Sequence, residues 1–287
     1  MASFLAIARL GSFRAGARER SLSQAAISQQ IQKLEVQLGA RLLERDAARC
    51  RLTAEGKSFH PYAEKLLGMS SAASRVFMDR PLTIGASSNI GIYLLSAHVK
   101  RFMQSSPETE PQVDIRIHQN PVVSEKLDCG EVDVALMEWW DGRKGFHAMR
   151  WREEELVVIV PPSHPWADRK RLAREDLVGV PLLGGEPGTG TGRLLAGYFG
   201  EMIDLLKVDR QLGSTAAVKQ WVKAGMGVSI VLAGTVEEEV GNGSLVAVPL
   251  EGDGLRKELF VIWRDSLSPL HPASRFADWL LSDCLAC

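Results

Sequence analysis

Residues 23–38, SQAAISQQIQKLEVQL, closed by Gly39, decide how the rest of the chain is read. Ala26, Ile27, Ile31, Leu34 and Leu38 recur at steps of three and four, which places them on one face of an α-helix. Ser23 is positioned to cap the first free amides, and Gly39 to adopt the left-handed backbone that ends such a helix. The opposite face holds Gln24, Ser28, Gln29, Gln32 and Lys33. These side chains can donate to and accept from base edges in a major groove.

Two shorter amphipathic helices precede this one. Phe4, Ile7, Ala8 and Leu10 line the first as far as Gly11, and Ser12 caps a second with Phe13, Ala15 and Ala17 turned inward. Gly16 sits inside that second helix, where glycine costs about 1 kcal/mol relative to alanine. Taken alone, such stripes would suit any three-helix bundle. Downstream, Arg41, Arg45, Arg49 and Arg51 surround the short strand CRLT (50–53), which predicts a β-hairpin wing on phosphates, and Thr53 caps a further helix. The charge distribution points the same way. The first sixty residues carry ten basic and five acidic side chains, although the whole chain has 34 and 35. A basic head on an acidic body suits a duplex-binding module joined to a second functional unit.

From Phe4 onward, FLAIARLGSF, LSQAAISQQIQKLEVQLGARLLER and RLTAEGKSF resemble, without a gap, the winged helix-turn-helix of LysR-type transcription regulators. The resemblance implies double-stranded promoter DNA as partner. Gln24, Ser28, Gln29 and Lys33 are then expected at bases or adjoining phosphates, and Arg45, Arg49, Arg51 and Thr53 along the backbone. Residues 54–77 read as one helix with Phe59, Tyr62, Ala63, Leu66, Leu67, Ala73 and Val76 available for packing, and a lone helix of this length needs a partner for such a stripe. In LysR-type proteins the corresponding helix pairs with its twin, which implies a homodimer or homotetramer. Packing on the chain's own body is the alternative.

From Pro81 strands alternate with helices, the pattern of α/β lobes with mainly parallel sheets. Ligands of such sheets lie outside the carboxyl ends of the strands, where loops meet helix N-termini. Ser87, Ser88 and Asn89 follow the first strand, Gln119 and Asn120 follow the second, and Gly188, Thr189 and Thr191 precede a helix, as Ser214 and Thr215 precede another. Hydroxyls and free amides at helix N-termini bind anions, so a small effector bearing a carboxylate or an oxyanion is expected. These serines and threonines could equally be helix caps. LysR-type proteins use the loops matching Ser87, Ser88, Asn120 and Thr189 for effectors, and the resemblance further implies two chain crossings between lobes.

Enzymatic readings find little. GASSN lacks the nucleophile-elbow spacing and GTGTGR lacks the G-K-[ST] ending of a P-loop. The six histidines never fall at i, i+4, and the terminal Cys284-x-x-Cys287 has no strand before it or helix after it. No catalytic residue, metal site or cofactor is expected. With no apolar run of about 18 residues and no signal-peptide pattern, a cytoplasmic protein is expected. The fold expected is α/β overall, in three parts. An all-α winged helix-turn-helix spans 1–55, a linker helix 56–79, and a two-lobed α/β periplasmic-binding-protein-like domain 80–287 (lobe I about 80–156 and 258–287, lobe II about 157–257). The competing functional class is a small-solute binding protein, cytoplasmic or exported, without regulatory DNA binding.

Overall fold

A computed structural model describes residues 1–45, 50–75, 81–105, 112–252 and 255–285. The chain divides into two compact units, residues 1–80 with the turn 128–131, and residues 81–127 with 132–287. Arg49, Val76 and Cys287, each singled out in the sequence, lie outside the described residues.

The first unit opens with helices α1 (Ala2–Leu10), α2 (Phe13–Glu19) and α3 (Gln24–Leu38). Strands β1 (Leu43–Arg45) and β2 (Cys50–Leu52) form an antiparallel wing, and α4 (Ala54–Arg75) follows. The caps fall as expected. Ser12 Oγ accepts from the Ala15 amide and Ser23 Oγ from the Ala26 amide at 3.1 Å, while Gly39 ends α3 with φ 66°. Phe4, Ile7, Ala17, Ile27, Ile31, Leu42, Leu43 and Ala63 make one core. Gly16 has a structural use there, since a Cβ on it would lie 2.8 Å from Ile7 Cγ1 and 3.3 Å from the Ile7 amide nitrogen. The helix-propensity cost of glycine is what allows α2 to cross α1 at this distance.

The second unit runs β3 (Leu82–Ser87), a π-helical turn Ile90–Leu94, α5 (Leu95–Gln104), β4 (Val113–His118), α6 (Asn120–Asp128), β5 (Val134–Met137) and the long β6 (Phe146–Val160). There follow β7 (Pro181–Gly184), α7 (Thr191–Phe199), β8 (Lys207–Gln211), α8 (Thr215–Lys223), β9 (Ser229–Leu232) and α9 (Glu237–Gly241). β10 (Val246–Pro249), β11 (Leu255–Arg264) and α10 (Pro272–Leu285) complete it. β3 pairs in parallel with β4 and β5, as expected for an α/β lobe, and β11 lies antiparallel between β5 and β6. The last residues of β6, Leu156–Val160, pair with β9 and β10 of the other lobe. Among the described residues, β6 and β11 are thus the strands that pass between lobes.

Each lobe has its own apolar centre, one around Ile84, Leu136, Val261 and Phe276, the other around Val158, Leu177, Phe199 and Val248. The helix that Gly188, Thr189 and Thr191 are expected to precede begins at Thr191 itself. Gly188 and Gly190, both at positive φ, hold the turn before it, α7 stops at Phe199, and a 3₁₀ segment, Gly200–Leu205, leads into β8. Among the described residues no helix is long and apolar enough to cross a membrane.

Candidate functional site

The first candidate surface is the outer face of α3. Gln24, Gln29, Gln32 and Lys33 are exposed and Ser28 is half-buried, while Ile27 and Ile31 on the reverse face are sealed in the core. The helix is therefore held by its apolar side and presents its amides outward, as the spacing predicts, except that Leu38, at the end of the apolar row, is exposed. The wing is tied to α3 by a residue the sequence reading passed over. Glu35 Oε1 accepts from the backbone amides of Leu42, at 2.8 Å, and Leu43, at 3.1 Å. Thr53 Oγ1 donates to the Arg41 carbonyl at 2.7 Å and accepts from the Gly56 amide at 2.9 Å, so this hydroxyl caps α4 and anchors the base of the wing. Arg51 is exposed on β2, and Arg45 ends β1. On α4, Tyr62, Leu66 and Met69 form an exposed apolar stripe at helical spacing.

The second candidate is the cleft of the body. Asn89 is its junction, donating to Glu138 Oε1 at 3.1 Å and accepting from Thr215 Oγ1, at the start of α8, at 2.7 Å. The other Glu138 oxygen stands 2.5 Å from Lys257 Nζ, which also donates to Thr191 Oγ1 at 3.0 Å; Thr191 in turn meets the Thr189 hydroxyl at 3.1 Å. Burial pushes the Lys257 ammonium down, and the Glu138 carboxylate opposes that shift. Asn120 is spent on the structure around it, accepting from the Glu138 amide and donating to the Trp139 carbonyl. Trp139 Nε1 reaches the Gly188 carbonyl at 2.6 Å, and a Cβ on Gly190 would lie 2.7 Å from the Trp139 ring. Ser88 Oγ donates to Glu186 Oε1 at 2.9 Å. Ser87 is buried at the end of β3, its hydroxyl without a hydrogen-bond partner among the described residues.

A cavity of about 320 Å³ opens beside this network. Of the sequence-predicted effector residues, Asn89, Gly188, Thr189, Thr191 and Thr215 line it; Ser87, Ser88 and Asn120 do not. The charged members, Glu138, Glu186 and Lys257, were not anticipated. The lining differs from an anion site, for among the described residues it carries the Glu186 carboxylate and no basic side chain. Burial pushes the Glu186 carboxyl up, and the nearby Glu138 adds to this, while the Ser88 hydrogen bond opposes it.

Residues 1–57 match the bacterial regulatory helix-turn-helix family of lysR type, and residues 78–285 match the LysR substrate binding domain. The chain belongs to the LysR family. PtxE of Stutzerimonas stutzeri, named as an HTH-type transcriptional regulator, is 42% identical over 189 residues, covering 66% of this chain and 96% of that protein. The LysR family regulator CbnR shares the fold over 98% of this chain and 96% of its own, with a TM-score of 0.70 at 23% identity. A second structure, full-length CbnR complexed with target DNA, matches with a TM-score of 0.58 at 24% identity, over 97% and 96% of the two chains. A LysR-type protein is a transcription regulator with a DNA-binding helix-turn-helix and an effector-binding domain, not an enzyme, and the solute-binding alternative is set aside.

Proposed function

We propose that this regulator reads its promoter with the outer face of α3, Gln24, Ser28, Gln29 and Lys33 meeting base edges or adjoining phosphates. Arg45, Arg49 and Arg51 grip the backbone, and Thr53 supports the wing. The carrying observation is that α3 is fixed by its apolar face while its amide-rich face stays exposed. The working form is a homodimer or homotetramer in the cytoplasm, where its DNA lies, and the Tyr62, Leu66 and Met69 stripe supports pairing of α4 with a second copy. We assign the head to 1–55, the linker helix to 56–79 and the effector domain to 80–287, with lobes divided as the sequence suggests. A small molecule in the body cleft, beside Asn89, Thr189, Thr191 and Thr215, shifts the equilibrium between DNA-bound states by binding them unequally.

The test is promoter affinity of the full chain across a salt series. Phosphate contacts make log affinity fall linearly with log salt, and a flat line would refute them.

A further inference from the structure

Three chemically different walls enclose the cavity of the body. Leu156, Leu182, Leu195, Val208, Ile230 and Leu232 form a hydrocarbon wall. At one point stands Glu186, the only charged residue among the described lining residues, with Oε1 held by Ser88. At another lie the hydroxyls of Thr189, Thr191 and Thr215 and the start of α7, whose N-cap is Gly190 and supplies no side-chain oxygen to its amides. Lys257 touches Thr191 but adds no net charge here, because Glu138 neutralises it.

On the reading that this cavity is the effector site, we propose that it takes an α-amino acid with an aliphatic side chain. The ammonium pairs with Glu186, the carboxylate takes the one hydroxyl proton that the Thr189–Thr191 pair leaves free together with the amide end of α7, and the side chain lies on the hydrocarbon wall; the Thr215 proton is already spent on Asn89. A simple organic acid leaves the half-buried Glu186 carboxylate facing a like charge, and a simple amine leaves the donor wall unanswered; partial removal from water makes both mismatches costly. An inorganic oxyanion has nothing to place against six aliphatic side chains. The cavity, about 320 Å³, is at the small end of ligand sites, which suits a molecule of this size.

The test uses the full-length protein with L-leucine and L-valine as probes, read by thermal shift and titration calorimetry. Leucine without its amine (4-methylpentanoate) and without its carboxylate (3-methylbutylamine) serve as controls. At least one amino acid should raise the melting temperature with concentration, and each truncated analogue should bind about tenfold or more weakly than leucine. Glu186→Gln should weaken leucine by a similar factor and narrow its advantage over 4-methylpentanoate. The inference is overturned if neither amino acid binds, if 4-methylpentanoate matches leucine, or if a folded Glu186→Gln variant binds leucine like the parent. The analogue comparison needs no variant, so a Glu186→Gln chain that misfolds does not shelter the idea. A chain that binds promoter DNA with the expected salt slope yet ignores both amino acids overturns this inference alone. One that binds leucine but no DNA overturns the proposed function instead.

Discussion

Lys257 Nζ and Glu138 Oε2 lie 2.5 Å apart with both residues 2% exposed, and together they join the crossing strand β11 to the carboxyl end of β5. A buried ion pair is weak evidence of net stability, but removing one member strands the other charge away from water. Lys257→Met should therefore destabilise the body by about 3–5 kcal/mol, and adding Glu138→Leu should recover much of the loss. Urea denaturation followed by tryptophan fluorescence measures both. A single variant as stable as the parent would mean that Glu138 finds water or another cation.

Gln29 and Lys33 are neighbours on the exposed face of α3 and should fail differently. Gln29→Ala should cost about 1–3 kcal/mol on the best operator and relax preference at one position, whereas Lys33→Ala should weaken all sequences alike and lower the salt slope by about 1. Competition binding with single-base operator variants separates the two outcomes.

Gly16 makes a prediction against helix propensity. Alanine there would gain about 1 kcal/mol as a helix former, yet its methyl group would sit 2.8 Å from Ile7 Cγ1 beside a fixed backbone. Overpacking of this sort costs about 1–3 kcal/mol, so Gly16→Ala should be neutral to destabilising in thermal denaturation. A clear gain in melting temperature would show that α1 yields easily.

Asp283 accepts from Arg101 Nη2 at 2.6 Å and meets His98 Nδ1 at 2.8 Å. The Arg101 hydrogen bond, aided by His98, holds the Asp283 carboxyl below its ordinary value, while burial holds the His98 imidazole below its own in spite of Asp283. A depressed folded-state pKa gives stability that is complete above the unfolded value and lost as pH falls through the folded one. The body should lose stability first below about pH 6.5, through His98, and again below about pH 4, through Asp283. Calorimetric melting from pH 7.5 to 3.5 tests this; His98→Gln should reduce the first loss, to which His164 also contributes, and Asp283→Asn the second, which Asp176 and Glu239 share.

The recognition helix was legible because its evidence is local: apolar spacing, a serine before it and a glycine after it. Strand β8 was not, since Lys207–Gln211 is exposed throughout and has no apolar alternation to announce it. The first half of β6 reads as polar because its partner β11 lies a hundred residues away in sequence and supplies the order. Lys257 could have been noticed. It occupies the inward register shared by Leu255 and Leu259, a place where a lysine must find an acid. That the acid is Glu138 depends on tertiary structure, as does the placement of Glu186 from a glycine-rich turn into the cavity.

β6 and β11 are bonded to each other along ten residue pairs, from Leu255 opposite Leu156 to Arg264 opposite Phe146, with one bulge between Leu259 and Phe260. The halves of the body are accordingly mounted on a common ribbon, not strung on slack cord. Any opening must flex that ribbon, so a ligand's pull is resisted elastically and relaxes back when the ligand leaves.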